Sequence, residues 1–281
     1  SAVRSHIDPD NAHEAEKILS EGGYFTIFLE YELARCAASI GHPTADTPET
    51  DRATYASRKL SLSRCLANTG CHDEALKAAR EATNLYRTLA KRSPAIYVPD
   101  LATSLNTLAI LQAENGRKRK ALKTSREATN LYRTLAKRSP AIYVPDLATS
   151  LSNFSVYLAD SGQHREALET SREATNLYRT LAKHSPAIYV PDLATSLSNF
   201  SVYLAGNGQR HKAIETSQEA TNLYRELVDE NFRTFSSRFT TTLGVYAKLL
   251  DHCGDAAEAT RIRQERNAVL ERMKEMEEGD A

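Results

Sequence analysis

The fold class that this sequence predicts is an all-α solenoid of about six helix-turn-helix repeats, each about 46 residues long. Three observations predict it. The string Glu-Ala-Thr-Asn-Leu-Tyr-Arg begins at Glu81, Glu127 and Glu173, with a close copy at Glu219, always 46 residues apart. Glycines keep the same phase at Gly70, Gly116, Gly162, Gly208 and Gly254. Apolar residues follow helical spacing inside the units, and alternation of period two never persists. A fixed period of this size marks stacked supersecondary units, each burying its apolar face on its neighbours. Six of them occupy nearly all of the 281 residues and leave no room for a second domain.

The elements follow in chain order. Around Ala15, Ile18, Gly22, Ile27, Tyr31 and Ala34 the phase survives, while Gly41 to Thr50 is a Pro-, Thr- and Asp-rich link; residues 1–50 are assigned as a degenerate helical repeat and linker. Residues 51–232 are tandem repeats. Residues 81–105 recur unchanged at 127–151 and again at 173–197, with His184 the one substitution, a degree of copying that points to recent duplication. Leu147, Leu151, Phe154 and Leu158 form one helical stripe that ends near Ser161-Gly162, where glycine supplies the left-handed conformation of a helix stop. Ala167, Ser171, Ala174, Tyr178 and Leu181 form the stripe of a second helix, which Ser185-Pro186 ends. Pro191 is assigned to the first turn of the following helix. Residues 233–281 are read as a terminal repeat and capping helix. Phe232 and Ser237 replace the prolines there, Arg263 and Arg266 replace small residues, and the polar run Arg261 to Glu278 suits an end that no further hairpin covers. Glu277 to Ala281 are expected to fray.

Leu105, Leu108, Ala109, Gly116, Ala121, Leu122 and Ala128 stand in an order and spacing that resembles the tetratricopeptide repeat. The pattern returns as Leu151, Phe154, Ser155, Gly162, Ala167, Leu168, Ala174, and as Leu197, Phe200, Ser201, Gly208, Ala213, Ile214, Ala220. Small residues let the two helices of a hairpin approach, and larger apolar ones fill the gap to the next hairpin. The usual unit is about 34 residues. The extra residues, in stretches such as Thr134 to Leu147, are expected to lengthen both helices and also the connection. The long form is similar to kinesin light chain type repeats and to arrays in multidomain signalling proteins of fungi and bacteria. The resemblance implies a right-handed superhelix and a non-catalytic protein-interaction scaffold, which binds a peptide or helix in its concave groove. It also leaves room for a sensor or regulatory segment excised from a larger signalling NTPase or protease.

Composition narrows the function classes. Lys and Arg number 36 and Asp and Glu 36, so the formal charge is zero and a general polyanion binder is not expected. The run Arg117-Lys118-Arg119-Lys120 has no copy in other units and reads as solvated surface, so no nucleic-acid partner is expected. No apolar run reaches the ~18 residues of a membrane span. Ser1 to Asp10 lacks the basic head and apolar stretch of a secretory signal. Cys36, Cys65, Cys71 and Cys253 lack the paired spacing of a zinc site and suit reduced thiols in the cytoplasm. No Gly-rich phosphate loop appears, and the eight histidines join no repeated nucleophilic constellation. Neither a catalytic role nor a cofactor is expected.

The resemblance implies that the concave groove is lined mainly by the first helix of each hairpin, and function is sought there. Outward from the buried stripe lie Asn106 in one unit, then Thr149, Ser152, Asn153 and Val156, then Thr195, Ser198, Asn199 and Val202: a small, polar, uncharged peptide-binding face. An amide donates and accepts at once, which suits the backbone of an extended peptide. In similar kinesin light chain type repeats an asparagine at this place has that role. The other reading is that these amides bond only water or neighbouring helices, since duplication copies Asn whether it is used or not. The Lys and Arg side chains that grip chaperone tails in one tetratricopeptide subclass are missing here, so that partner is disfavoured. Near-identical units also allow self-association. Tyr86, Tyr132, Tyr178 and Tyr224 are expected to pack between helices, each hydroxyl reaching water or a backbone group.

Overall fold

A computed structural model describes residues 43–279 except residue 45; the degenerate repeat expected before them lies outside the described residues. Ten helices account for nearly all of this length, with no strand among the described residues. They are α1 (Glu49–Asn68), α2 (His72–Arg92), α3 (Pro94–Glu114), α4 (Lys118–Arg138), α5 (Pro140–Asp160), α6 (His164–His184), α7 (Pro186–Gly206), α8 (Arg210–Glu230), α9 (Phe232–His252) and α10 (Ala256–Gly279). The chain divides into two compact units, residues 1–135 and 136–281. In the first, α1 packs on α2, α2 on α3, and α3 also touches α1. In the second, every helix from α5 to α10 packs on the next, while α7 also touches both α5 and α9. Each unit is thus a stack of helical hairpins.

Two turns set the period. Gly162 has φ 78° and its N–H bonds the Ala159 carbonyl at 2.9 Å, while the Gln163 N–H reaches back to Leu158 at 2.9 Å. This pair of bonds closes the end of α5, and only glycine adopts that φ without strain. The other end corrects the expected long connection, for α6 and α7 are separated by Ser185 alone. The Ser185 N–H donates to the Leu181 carbonyl at 2.9 Å, and its own carbonyl accepts from the Tyr189 N–H at 3.1 Å. Pro186 excludes the α conformation from Ser185, then restarts a helix at once because the first helical N–H needs no partner. All the added length therefore lies in the helices, which run 21 residues each from α5 to α9. Pro191 is consequently not in the first turn but well inside α7. It withholds an N–H only from the carbonyl of Ala187, which stands in the exposed beginning of the helix. Where Phe232 replaces the connecting proline, the Asn231 side chain takes over and accepts from the Thr234 N–H at 3.1 Å.

Small residues permit the close packing. Ala75, Ala121, Ala167, Ala213 and Ala259, one per hairpin, are wholly buried, as are Ser63, Ser104, Ser150 and Ser155. The last hairpin is closed by α10, whose Ala259 and Ile262 complete a cluster with Phe239, Leu243 and Tyr246 while Arg266 donates to the Thr240 carbonyl at 3.2 Å. A second regularity joins successive hairpins. Arg87 bonds Glu127 at 2.6 Å, Arg179 bonds Glu219 at 2.6 Å, and Arg225 holds Glu265 through two bonds of 2.7 Å. In the first two pairs the last residue of one repeated string bonds the first residue of the next, and Glu265 stands at the same phase, 46 residues after Glu219, although the string itself does not recur there. These pairs are substantially exposed and each contributes at most about 1 kcal/mol, so they fix register more than they stabilise.

Candidate functional site

The helices α5 and α7 are near-copies that touch, so they present the same side chains one repeat apart. On α5, Ser152, Asn153 and Val156 are half-buried and Thr149 is exposed; on α7, Thr195 and Asn199 are half-buried and Val202 is exposed. Ser198 departs from the expected exposed row, being only 7% accessible. α7 packs between α5 and α9, and packing among neighbours covers a short side chain that helical spacing alone leaves outward. Asn106 lies on α3 in the other unit, half-buried and already engaged within the chain.

The two threonines have structural work. Thr149 donates to the Pro145 carbonyl at 3.2 Å and its hydroxyl lies 2.9 Å from that of Tyr178; Thr195 repeats this with Pro191 at 3.0 Å and Tyr224 at 2.6 Å. With the threonine hydrogen spent on the proline carbonyl, the tyrosine must be the donor. The tyrosines are thus buried between helices as expected; Tyr132, Tyr178 and Tyr224 meet side-chain hydroxyls, and Tyr86 donates to a backbone group, the Ala53 carbonyl at 3.3 Å. Burial, with Asp192, Tyr189 and Asp146 nearby, pushes the Tyr178 hydroxyl up to about 12, so it remains a donor throughout the neutral range. The asparagines differ. Among the described residues neither Asn153 nor Asn199 has a hydrogen-bond partner, so two half-buried amides keep their donors and acceptors unspent.

Asp146 and Asp192 stand at the beginning of the same helices, and burial raises both carboxyls above the usual range, with Arg238 opposing the rise at Asp192. A carboxyl whose folded pKa is raised costs nothing below the unfolded value of about 3.9 and becomes a penalty as pH climbs through the folded value. Asp146→Asn should therefore raise the melting temperature slightly near pH 7 and leave it unchanged near pH 3. The effect is small because the Asp146 side chain is exposed and water screens much of the shift. Melting curves at the two pH values check both signs.

Other sequence assignments fall as follows. Lys118, Arg119 and Lys120 are exposed and open α4. Cys65 is half-buried, and Cys71 and Cys253 are exposed free thiols. Among the described residues no three His, Cys, Asp or Glu side chains gather as metal ligands would, and no helix is long and apolar enough to cross a membrane. Beside Val202 the structure also opens a cleft of about 440 Å³ that helical spacing alone did not indicate. Its signal was present as departures from the repeat.

No curated protein sequence matches the chain. Among solved structures, BtubC (BKLC) from P. vanneervenii is 16% identical with a TM-score of 0.68, over 88% of this chain and 92% of that one. A kinesin light chain protein of Podosopora anserina with nearly identical TPR-like repeats is 16% identical with a TM-score of 0.59, over 80% of this chain and 98% of that one. The Rap conjugation gene regulator of plasmid pLS20, in complex with the Phr* peptide, is 13% identical with a TM-score of 0.58, over 93% of this chain and 69% of that one. At these identities the likeness shows the fold, a tetratricopeptide-like stack. The family model for anaphase-promoting complex subunit 5 matches residues 42–95, 90–138 and 191–246, more than half of the chain, which therefore belongs to this family of tetratricopeptide-like repeats.

Proposed function

We propose that the chain is a non-catalytic protein-interaction scaffold that binds an extended peptide along the exposed side of α5 and α7. The observation that carries the proposal is the pair of unspent amides, Asn153 and Asn199, held one repeat apart on adjoining helices. A peptide backbone offers donors and acceptors in alternation, and each amide can serve one of each without moving the helices. Ser152 and Val156 complete the face on α5; Thr195 and Val202 do so on α7. Thr149 and Thr195 act mainly by fixing the wall behind the peptide, because their hydroxyls are committed to Tyr178 and Tyr224. Ser198 is too buried to contribute. The Rap regulator, of similar fold, is seen in complex with a peptide, which supports the reading.

A displayed library of random peptides, panned on the intact chain, tests it. Selected peptides should bind saturably in calorimetry, and Asn153→Ala combined with Asn199→Ala should weaken them at least about tenfold while the circular dichroism spectrum stays helical. A library that yields no saturable binder, or binders indifferent to the double substitution, would overturn the assignment.

A further inference from the structure

The repeats are so alike that their departures are informative, and several fall on one cleft between α7 and α9. At the preceding α5–α7 interface the corresponding places hold Asp160, His164, Asn199, Val202 and Tyr203. At α7–α9 they hold Gly206, Arg210, Val245, Lys248 and Leu249, and His252 stands where Gly206 did. The consequences are physical. Tyr203 extends its ring so that the hydroxyl reaches Ser155, whereas Leu249 is too short to make the equivalent reach, which leaves space. Gly206 removes a carboxylate and a side chain together; a Cβ there would meet no atom within 4 Å. The result is the open space of about 440 Å³, with Val202, Val245 and Leu249 as apolar lining and Arg210, Lys248 and His252 as basic groups. Among the described residues no carboxylate lines it. The nearest acid in sequence, Asp251, is bonded to Arg263.

We infer that this cleft is a binding site for a small apolar carboxylic acid, a molecule with a short hydrocarbon or aryl body and one carboxylate. The volume lies in the range of small-molecule sites, which are mostly apolar with a few placed polar groups. The apolar wall takes the body, since its burial is favourable in proportion to area. Lys248 and Arg210 take the carboxylate: both are exposed, and among the described residues neither is paired with an acid. His252 is anchored by its Nδ1, 2.6 Å from the Lys248 carbonyl, and adds positive charge when protonated. Loss of the Asp160 equivalent matters as much as the gain of cations, because a carboxylate at that place would repel the ligand. The inference is independent of the peptide-binding reading, although Val202 borders both surfaces.

The repeat itself supplies the variants. Leu249→Tyr and Gly206→Asp install residues that the preceding interface already accommodates, so the fold should tolerate them. Calorimetry of the full chain with octanoate should show saturable binding of one molecule per chain, and octanol should bind at least about tenfold more weakly. Each of the two substitutions should abolish octanoate binding, Lys248→Val should weaken it at least about tenfold, and the Asn153→Ala, Asn199→Ala variant should leave it unchanged. A peptide with an apolar last residue, tested with a free and an amidated end, separates the sources of such a carboxylate. Absence of saturable octanoate binding, equal binding of octanol, or indifference to Leu249→Tyr and Gly206→Asp would overturn the inference. So would capture of the free-ended peptide alone.

Discussion

Leu197→Ala should destabilise the chain by about 2–5 kcal/mol, the range for deleting a large aliphatic side chain from a core that cannot collapse. Leu197 is wholly buried in α7 and shares a cluster with Ala148 of α5, Tyr178 and Ala182 of α6, Leu193, and Ala220 of α8. It therefore belongs to two interfaces at once, the one inside its own hairpin and the one to the hairpin before. The surrounding helices are long and held by neighbours on both sides, which limits their inward relaxation. In a stack, stability is the sum of unit terms and nearest-neighbour terms, so this single cavity weakens two adjacent couplings. Urea denaturation followed by circular dichroism should show a lower midpoint and, if the coupling falls far enough, a transition that separates into two. A loss below about 1 kcal/mol would contradict the packing of α5 to α8.

The fold was legible because its punctuation is local. Gly162 must adopt a positive φ, and Pro186 must exclude the α conformation before it; both constraints act on the residue itself and are visible without any tertiary information. Pro191 misled for the same reason. Its suitability for a first turn is real, but Pro186 already occupies that place, and the later proline is tolerated because only an exposed carbonyl loses its donor. The polar side of α5 and α7 could be placed by helical spacing, whereas Ser198 could not. Its burial depends on how the neighbouring helices pack on α7, which no single helix encodes. The partners of Tyr178 and Tyr224 were hidden likewise, since a hydroxyl 29 residues away competes with water and backbone on equal terms in the sequence. The Arg179–Glu219 pair was open to inference, as the ends of the repeated string carry opposite charge; the same is true of the α7–α9 cleft, where divergence from a near-perfect repeat marks the place.

Ala213→Leu tests the opposite failure, overfilling, and is expected to cost about 1–3 kcal/mol. Ala213 is wholly buried in the first turn of α8, against Leu168 of α6 and Phe200 and Leu204 of α7. The hairpin turn fixes α7 and α8 near this point, because Gly208 and the Gln209 N–H close the end of α7 by bonds of 2.9 Å to Ala205 and Leu204. A longer side chain cannot be absorbed by sliding α8 away without breaking that closure, so Phe200 must leave its rotamer or α6 must retreat. The second response propagates into the neighbouring hairpin, and it should appear as faster amide exchange in α6 as well as α8. The same substitution at exposed Ala257 on α10 provides the control and should stay within about 0.5 kcal/mol. If Ala213→Leu and Ala257→Leu melted alike, the close approach of α7 and α8 would be wrong, and with it the reason small residues recur at this place in every hairpin.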